Sequence, residues 1–272
     1  RRWTARHPED ARRLWCVDWR DVAAEVPGLA DALLARLDAT GRRTSEWWWT
    51  WASQVTHWMI ERNPGETTAF LDTDCYAFAD LSPALAEVAE AGADVGLVSH
   101  RFPPHRAHMA ARAHFNVGTL TTFRPTIRAR ACAAWWAAMV RARCEATDPG
   151  DGLLEIPSGR AGDQAPLDAF PRLAYVEEIM DPGTGLAPYN WDAHAYGDHQ
   201  EYGLCMEVGA RIERNHGLNL QPVRLAHFHE SRFDPATGAV VKRTGYPIPD
   251  DVERYLLAPY EAAVAAAAAE LR

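Results

Sequence analysis

Short β-prone runs alternate with stretches of helical periodicity along this chain, and that alternation narrows the fold more than any other feature. The β-prone runs are residues 14 to 17, 67 to 71, 94 to 99, 116 to 123, 172 to 179 and 222 to 229. Between them, Leu29, Leu33, Leu34 and Leu37 share one helical face within residues 27 to 37. Trp47, Trp48, Trp49, Trp51 and Trp58, with Val55 and Met59, predict a second helix packed on a sheet. These tryptophans read as core, and the sharper option is that one of them stacks on a base or sugar ring.

Ser82 and Pro83 suit the N-cap and first position of a helix ending near Gly92. Residues 126 to 142 predict a helix with Ile127, Ala131, Trp135, Ala138 and Ala142 inward. Its arginines 128, 130, 141 and 143 are then solvated. Residues 181 to 189, rich in Gly and Pro, read as loop. A last helix starts at Asp250 and runs into an alanine-rich tail. Strands alternating with helices imply an α/β fold, a mixed, mainly parallel sheet flanked by helices. No Pro/Gly/Ser-rich linker divides the chain, so one domain over residues 1–272 is expected.

Composition removes several function classes. Net charge is -9, which argues against a nucleic-acid partner, since such binding needs a basic face. No stretch is long and apolar enough to predict a membrane span. The five cysteines are odd in number and none is spaced C-x-x-C, so reduced thiols and a cytoplasmic setting are expected. There is no Gly-x-Ser-x-Gly, no phosphate-binding P-loop and no Gly-x-Gly-x-x-Gly.

Chemistry concentrates at strand ends, where α/β sheets bind ligands. Asp72 and Asp74 close the run at 67 to 71, and in an extended strand they would face the same way. Two adjacent carboxylates repel unless a cation joins them, and oxygen donors suit Mg²⁺ or Mn²⁺. His227 and His229 end the late strand run on one face, His227 as a candidate ligand and His229 as a hydrogen-bonded core residue. His100, His105, His108 and His114 crowd one stretch without zinc-site spacing and read as loop residues, with some of them expected near the substrate. Asp80 and Asp94 read as solvated loop acids. Asp163 and Gln164 could grip sugar hydroxyls, or Asp163 could act as a base, although position alone favours a helix cap.

Taken in order, these segments resemble the GT-A glycosyltransferases. Phe70-Leu71-Asp72-Thr73-Asp74-Cys75-Tyr76-Ala77-Phe78 is similar to their Asp-x-Asp strand, and Phe115-Asn116-Val117-Gly118-Thr119-Leu120 to their Asn-x-Gly strand. Gly162-Asp163-Gln164 with Leu167 resembles their Asp-Gln segment. Leu186-Ala187-Pro188-Tyr189-Asn190 resembles a Pro-Trp-Asn turn, and His227-Phe228-His229 the late histidine motif. The nearest likeness is to bacterial nucleotide-diphospho-sugar transferases, and more distantly to glycogenin-like retaining transferases.

The resemblance implies a GT-A (Rossmann-like) fold, a nucleotide-diphosphate sugar donor, a separate acceptor, and Mn²⁺ or Mg²⁺. Carried over, it makes Asp72, Asp74 and His227 metal ligands and Asp163 and Gln164 catalytic. It places Asn116, Gly118, Asn190 and Arg232 at the donor. The chain departs from the pattern at Glu230, where the family carries Gly, and at Arg232, where a Lys is usual. Residues 1 to 7 resemble the end of a helix that follows the family's first strand, which places that strand upstream. Two other classes fit parts of the pattern: a nucleotidyltransferase, and a degenerate transferase acting as a sugar-binding or scaffold protein.

Overall fold

A computed structural model of the chain describes residues 17–111, 114–144, 162–201, 203–210, 220–229, 232–234, 239–242 and 245–270. It is an α/β structure of mixed sheets and helices. Two short helices, α1 (Trp19–Glu25) and α2 (Leu29–Leu34), lead into the long α3 (Ser45–Arg62). The Thr44 hydroxyl accepts the Trp47 N–H and caps that helix. Trp47 and Trp58 pack with Val22, Leu29 and Leu33 into a small core under α1 and α2.

The principal sheet has the order β1 (Thr68–Phe70), β4 (Thr121–Phe123), β3 (Val95–Leu97), β5 (Val176–Glu178). β3 and β5 are parallel, and β4 runs antiparallel to both its neighbours. Helix α3 and helix α5 (Ile127–Ala142) cover one face. There Ile60, Val95, Leu97, Phe123, Trp136 and Phe170 pack into one core. Helix α4 (Ser82–Glu90) covers the other face through Ala84 and Val88. Gly96 in β3 makes this approach possible, because a Cβ there would stand 2.4 Å from Val88 Cγ2.

A second sheet, β2 (Cys75–Ala77), β10 (Leu225–His227) and β6 (Thr184–Leu186), sits beside the first. β10 is antiparallel to β2 and parallel to β6. Two antiparallel sheets follow: β7 (Ala195–His199), β8 (Gly203–Glu207) and β9 (Leu220–Pro222), then β11 (Arg232–Phe233) with β12 (Val240–Lys242). The chain closes through α6 (Asp250–Val252), a π-helical turn (Glu253–Leu257) and α7 (Ala258–Glu270). Leu256, Leu257 and Tyr260 pack there on Trp191, Met206 and Phe228. Among the described residues no helix is long and apolar enough to cross a membrane.

Several expectations are corrected. Pairing is mainly antiparallel rather than parallel, since only β3–β5 and β10–β6 are parallel among the described strands. The run at 116 to 123 is a strand only from Thr121, because Val117 to Thr119 turn. Residues 184 to 186 pair as β6 inside the supposed loop. Helix α5 buries Ala129, Cys132, Ala133, Trp136, Ala137 and Val140, one residue round from the predicted stripe, and Ile127 is 85% exposed. An alanine-rich helix has apolar residues on every side, so the large Trp136 side chain decides which face turns inward. Asp94 is buried rather than solvated: its carboxylate accepts the Thr126 hydroxyl at 2.7 Å and the Tyr175 N–H at 2.9 Å. Leu81 rather than Ser82 stands at the N-cap of α4, and the Asp80 carboxylate accepts the Ser82 N–H at 2.9 Å. The proposed strand at 14 to 17 lies outside the described residues except for Val17, which is not in a strand.

Candidate metal centre and adjoining cavity

The β1–β2 connection carries Asp72 and Asp74. These residues form a turn rather than an extended strand, so alternation does not set their directions. Backbone bonds fix them instead. Asp72 N–H donates to the Gly118 carbonyl at 2.8 Å, and Cys75 N–H donates back to the Asp72 carbonyl at 3.1 Å. The Asp74 carbonyl accepts Phe228 N–H at 2.8 Å, which locks this turn to the end of β10. The register of β2 and β10 sets His227 opposite Cys75.

His227 is therefore 3% exposed at the junction of the sheets. Its Nε2 lies 3.0 Å from Asp74 Oδ1 and 3.8 Å from Asp72 Oδ2. Neither ring nitrogen has a hydrogen-bond partner among the described residues, although both are buried. The contact with Asp74 is close in distance but lacks hydrogen-bond alignment. A buried polar atom left this way costs about 1–3 kcal/mol. Two ligands adjacent on one cation, each at about 2.1 Å, stand roughly 3 Å apart. The Asp74–His227 spacing fits that geometry.

His229 completes the cluster. Asp74, His227 and His229 each bring a ligand atom within 4.8 Å of the others. The two imidazoles meet edge to face at 5.2 Å. His229 is exposed at the rim, which corrects its expected core role. Strand β10 ends at His227, so strand alternation does not carry His229 into the core. Asp72 stands outside this three-residue group. Its carboxylate folds over Gly118, where a Cβ would meet Asp72 Oδ2 at 2.2 Å and His227 Cε1 at 2.8 Å. The residues fit a divalent cation held by one carboxylate and two imidazoles, a different set from the two aspartates and one histidine expected.

Beside the cluster lies a cavity of about 60 Å³ lined by Asp72, Asn116, Gly118, Asp163, Gln164 and His227, with Trp49, His100, Tyr189 and His229 closing its sides. Asn116 Oδ1 accepts the Gly118 N–H at 3.1 Å, and its Nδ2 donates to Thr119 Oγ1 and to the Tyr189 hydroxyl. Gln164 Oε1 accepts Val117 N–H at 3.4 Å. The Asp163 carbonyl accepts the Trp136 indole N–H at 2.8 Å, which ties the cavity floor to the aromatic core.

Charge is unevenly held. Burial raises the Asp72 carboxyl above the usual range, against the pull of His227 and with the push of Asp74. Burial also pushes Asp74 up, but His227 and His229 outweigh it and leave that carboxyl below the usual range. Burial, reinforced by the Asp72 charge, raises the Asp163 carboxyl well above it. Burial lowers His100 to about 4, which keeps that imidazole uncharged.

The expected donor-site residues divide. Asn116 and Gly118 line the cavity. Asn190 does not: it is 1% exposed, accepting Ala187 N–H at 2.9 Å and donating to the His100 and Gly185 carbonyls at 3.0 Å each. Its side-chain hydrogen bonds tie its own loop to the segment at His100, and its neighbour Tyr189 faces the cavity instead. The Arg232 side chain and residue Glu230 lie outside the described residues. His105 and His114 turn elsewhere, towards Asp192 and Glu178.

Sequence reasoning offered the histidine stretch and the tryptophan cluster only as groups and did not single out His100, Trp49 or Tyr189 at the cavity. His100 carried a usable signal, since it directly follows the strand run that ends at Ser99. No protein-family model matches this chain, and no curated protein matches it at a significant level.

Proposed function

We propose that the protein is a metal-dependent glycosyltransferase that takes a sugar from a nucleotide-diphosphate donor. The observation that supports this best is the buried, unbonded His227 beside Asp74 and His229, opening on a polar cavity. A divalent cation held there, Mn²⁺ or Mg²⁺, would neutralise a diphosphate leaving group. The cavity has room for an ion and a few waters rather than a whole nucleotide sugar. Only the reacting end of the donor reaches into it.

The chain's own residues then divide the work. Gln164 grips sugar hydroxyls from the cavity wall. Asp163, whose carboxyl burial pushes well above the usual range, donates an O–H to a sugar oxygen in its protonated form. Asn116 holds the Gly118 turn and the Tyr189 hydroxyl, so it shapes the pocket more than it touches substrate. Trp49 offers a ring face at the cavity side.

The test is thermal stability against a panel of nucleotide diphosphates, with and without Mn²⁺, for the wild type and Asp74→Ala. A ligand at a hundred times its Kd stabilises by about 2.7 kcal/mol, a rise of roughly 5–10 °C. A Mn²⁺-dependent rise with one nucleotide, lost in the variant, supports the proposal and names the donor class. No rise with any nucleotide refutes it. A rise that ignores Mn²⁺ favours a binding or scaffold protein instead.

A further inference from the structure

We infer that the centre formed by Asp74, His227 and His229 selects a first-row transition cation such as Mn²⁺ or Co²⁺ over Mg²⁺, and that His229 sets this choice. The inference rests on the metal half of the proposed function and not on its sugar chemistry.

Two carboxylates and one imidazole, the set implied by sequence, would accept either cation. One carboxylate and two imidazoles would not. Mg²⁺ is a hard ion that dehydrates reluctantly and prefers oxygen. Imidazole nitrogen favours the transition metals, with affinity rising from Mn²⁺ towards Co²⁺. The second carboxylate stands outside the three-residue cluster, with Asp72 Oδ2 3.8 Å from His227 Nε2 against 3.0 Å for Asp74 Oδ1. The second imidazole enters because His229 follows the strand end and remains at the exposed rim, its ring 5.2 Å from that of His227. His227 supplies a buried nitrogen without a hydrogen-bond partner. Asp74 supplies the oxygen 3.0 Å from it. His229 is therefore the member whose removal changes the donor set without opening the core.

The experiment uses the full chain, stripped of metal by chelation, with no nucleotide present. Mn²⁺ uptake is read from loss of the aqueous Mn²⁺ resonance, and Mg²⁺ and Co²⁺ compete. Wild type, His229→Gln and Asp72→Asn are compared, with circular dichroism melts confirming that each folds. Mn²⁺ is expected to bind, and Mg²⁺ to need at least about tenfold more for the same occupancy. His229→Gln, which offers an amide oxygen at similar reach, should weaken Mn²⁺ about tenfold or more and shrink its lead over Mg²⁺. Its pulsed resonance should show nitrogen coupling from one imidazole instead of two. Asp72→Asn should preserve the preference.

Equal competition by Mg²⁺, an unchanged preference in His229→Gln, or no Mn²⁺ uptake would overturn the inference. Mn²⁺ uptake with the stated preference, in a protein that ignores every nucleotide, would uphold it while the transferase proposal fails.

Discussion

Gly118→Ala puts the metal cradle to the hardest test. The new Cβ would stand 2.2 Å from Asp72 Oδ2 and 2.8 Å from His227 Cε1, where ordinary contact starts at 3.4 Å. The Asp72 side chain is 41% exposed and can swing aside at little cost. The His227 ring cannot, because it is 4% exposed and its strand is paired on both edges. It must shift by roughly 0.6 Å, against a tolerance of about 0.2 Å for a metal ligand. Loss of about tenfold in Mn²⁺ affinity follows, or about 1.4 kcal/mol. Overpacking adds about 1–3 kcal/mol of lost fold stability, a fall of roughly 3–10 °C in Tm. Melts with and without Mn²⁺ separate the two effects. Gly197→Ala, in β7 with no atom within 4 Å, is the control and should behave as wild type. If Gly118→Ala melts with wild type and binds Mn²⁺ equally well, His227 is not held where the argument needs it.

Two further outcomes follow from the same geometry. Asn190→Ala strips partners from one N–H and two carbonyls inside a buried loop. It should cost about 3–5 kcal/mol in denaturant unfolding, and a loss below about 1 kcal/mol would show that this amide is not a structural tie. Asp163→Asn tests the raised carboxyl through pH. With its folded pKa raised, the wild-type carboxyl contributes stability that is present below the unfolded value, about 3.9, and lost as pH rises towards the folded value. The variant has no such slope, so its Tm relative to wild type should climb as pH rises from about 4 to 7. A constant difference would mean that Asp163 ionises normally.

The parts legible in sequence were those fixed by local chemistry. The run ending at Asp72, the tryptophan helix and the α/β class needed only periodicity and strand-end logic. His227 was readable because Val223, Leu225 and the histidine follow the alternation of a buried strand. His229 was not, since the same alternation gave the wrong side once β10 stopped at His227. Asp94, expected in solvent, and Asn190, expected at the donor, are both buried and tied to backbone. A buried polar side chain looks like a solvated one in sequence, and only the backbone groups it meets, Tyr175 for one and Ala187 for the other, reveal its burial. The face of α5 was illegible because its alanines erase amphipathic contrast, and the pairing sense of β4 depends on contacts no local pattern encodes.

The backbone bond from Phe228 to the Asp74 carbonyl also bears on kinetics. Asp74 and His227 are joined across most of the chain's length, and closing so long a loop is slow. A cation that bridges them can grip only after β10 has docked on β2. Its hold should therefore leave the rate of folding nearly unchanged and be felt in the rate of unfolding. A metal centre placed on this seam acts as a latch on the finished molecule rather than as a nucleus for making it.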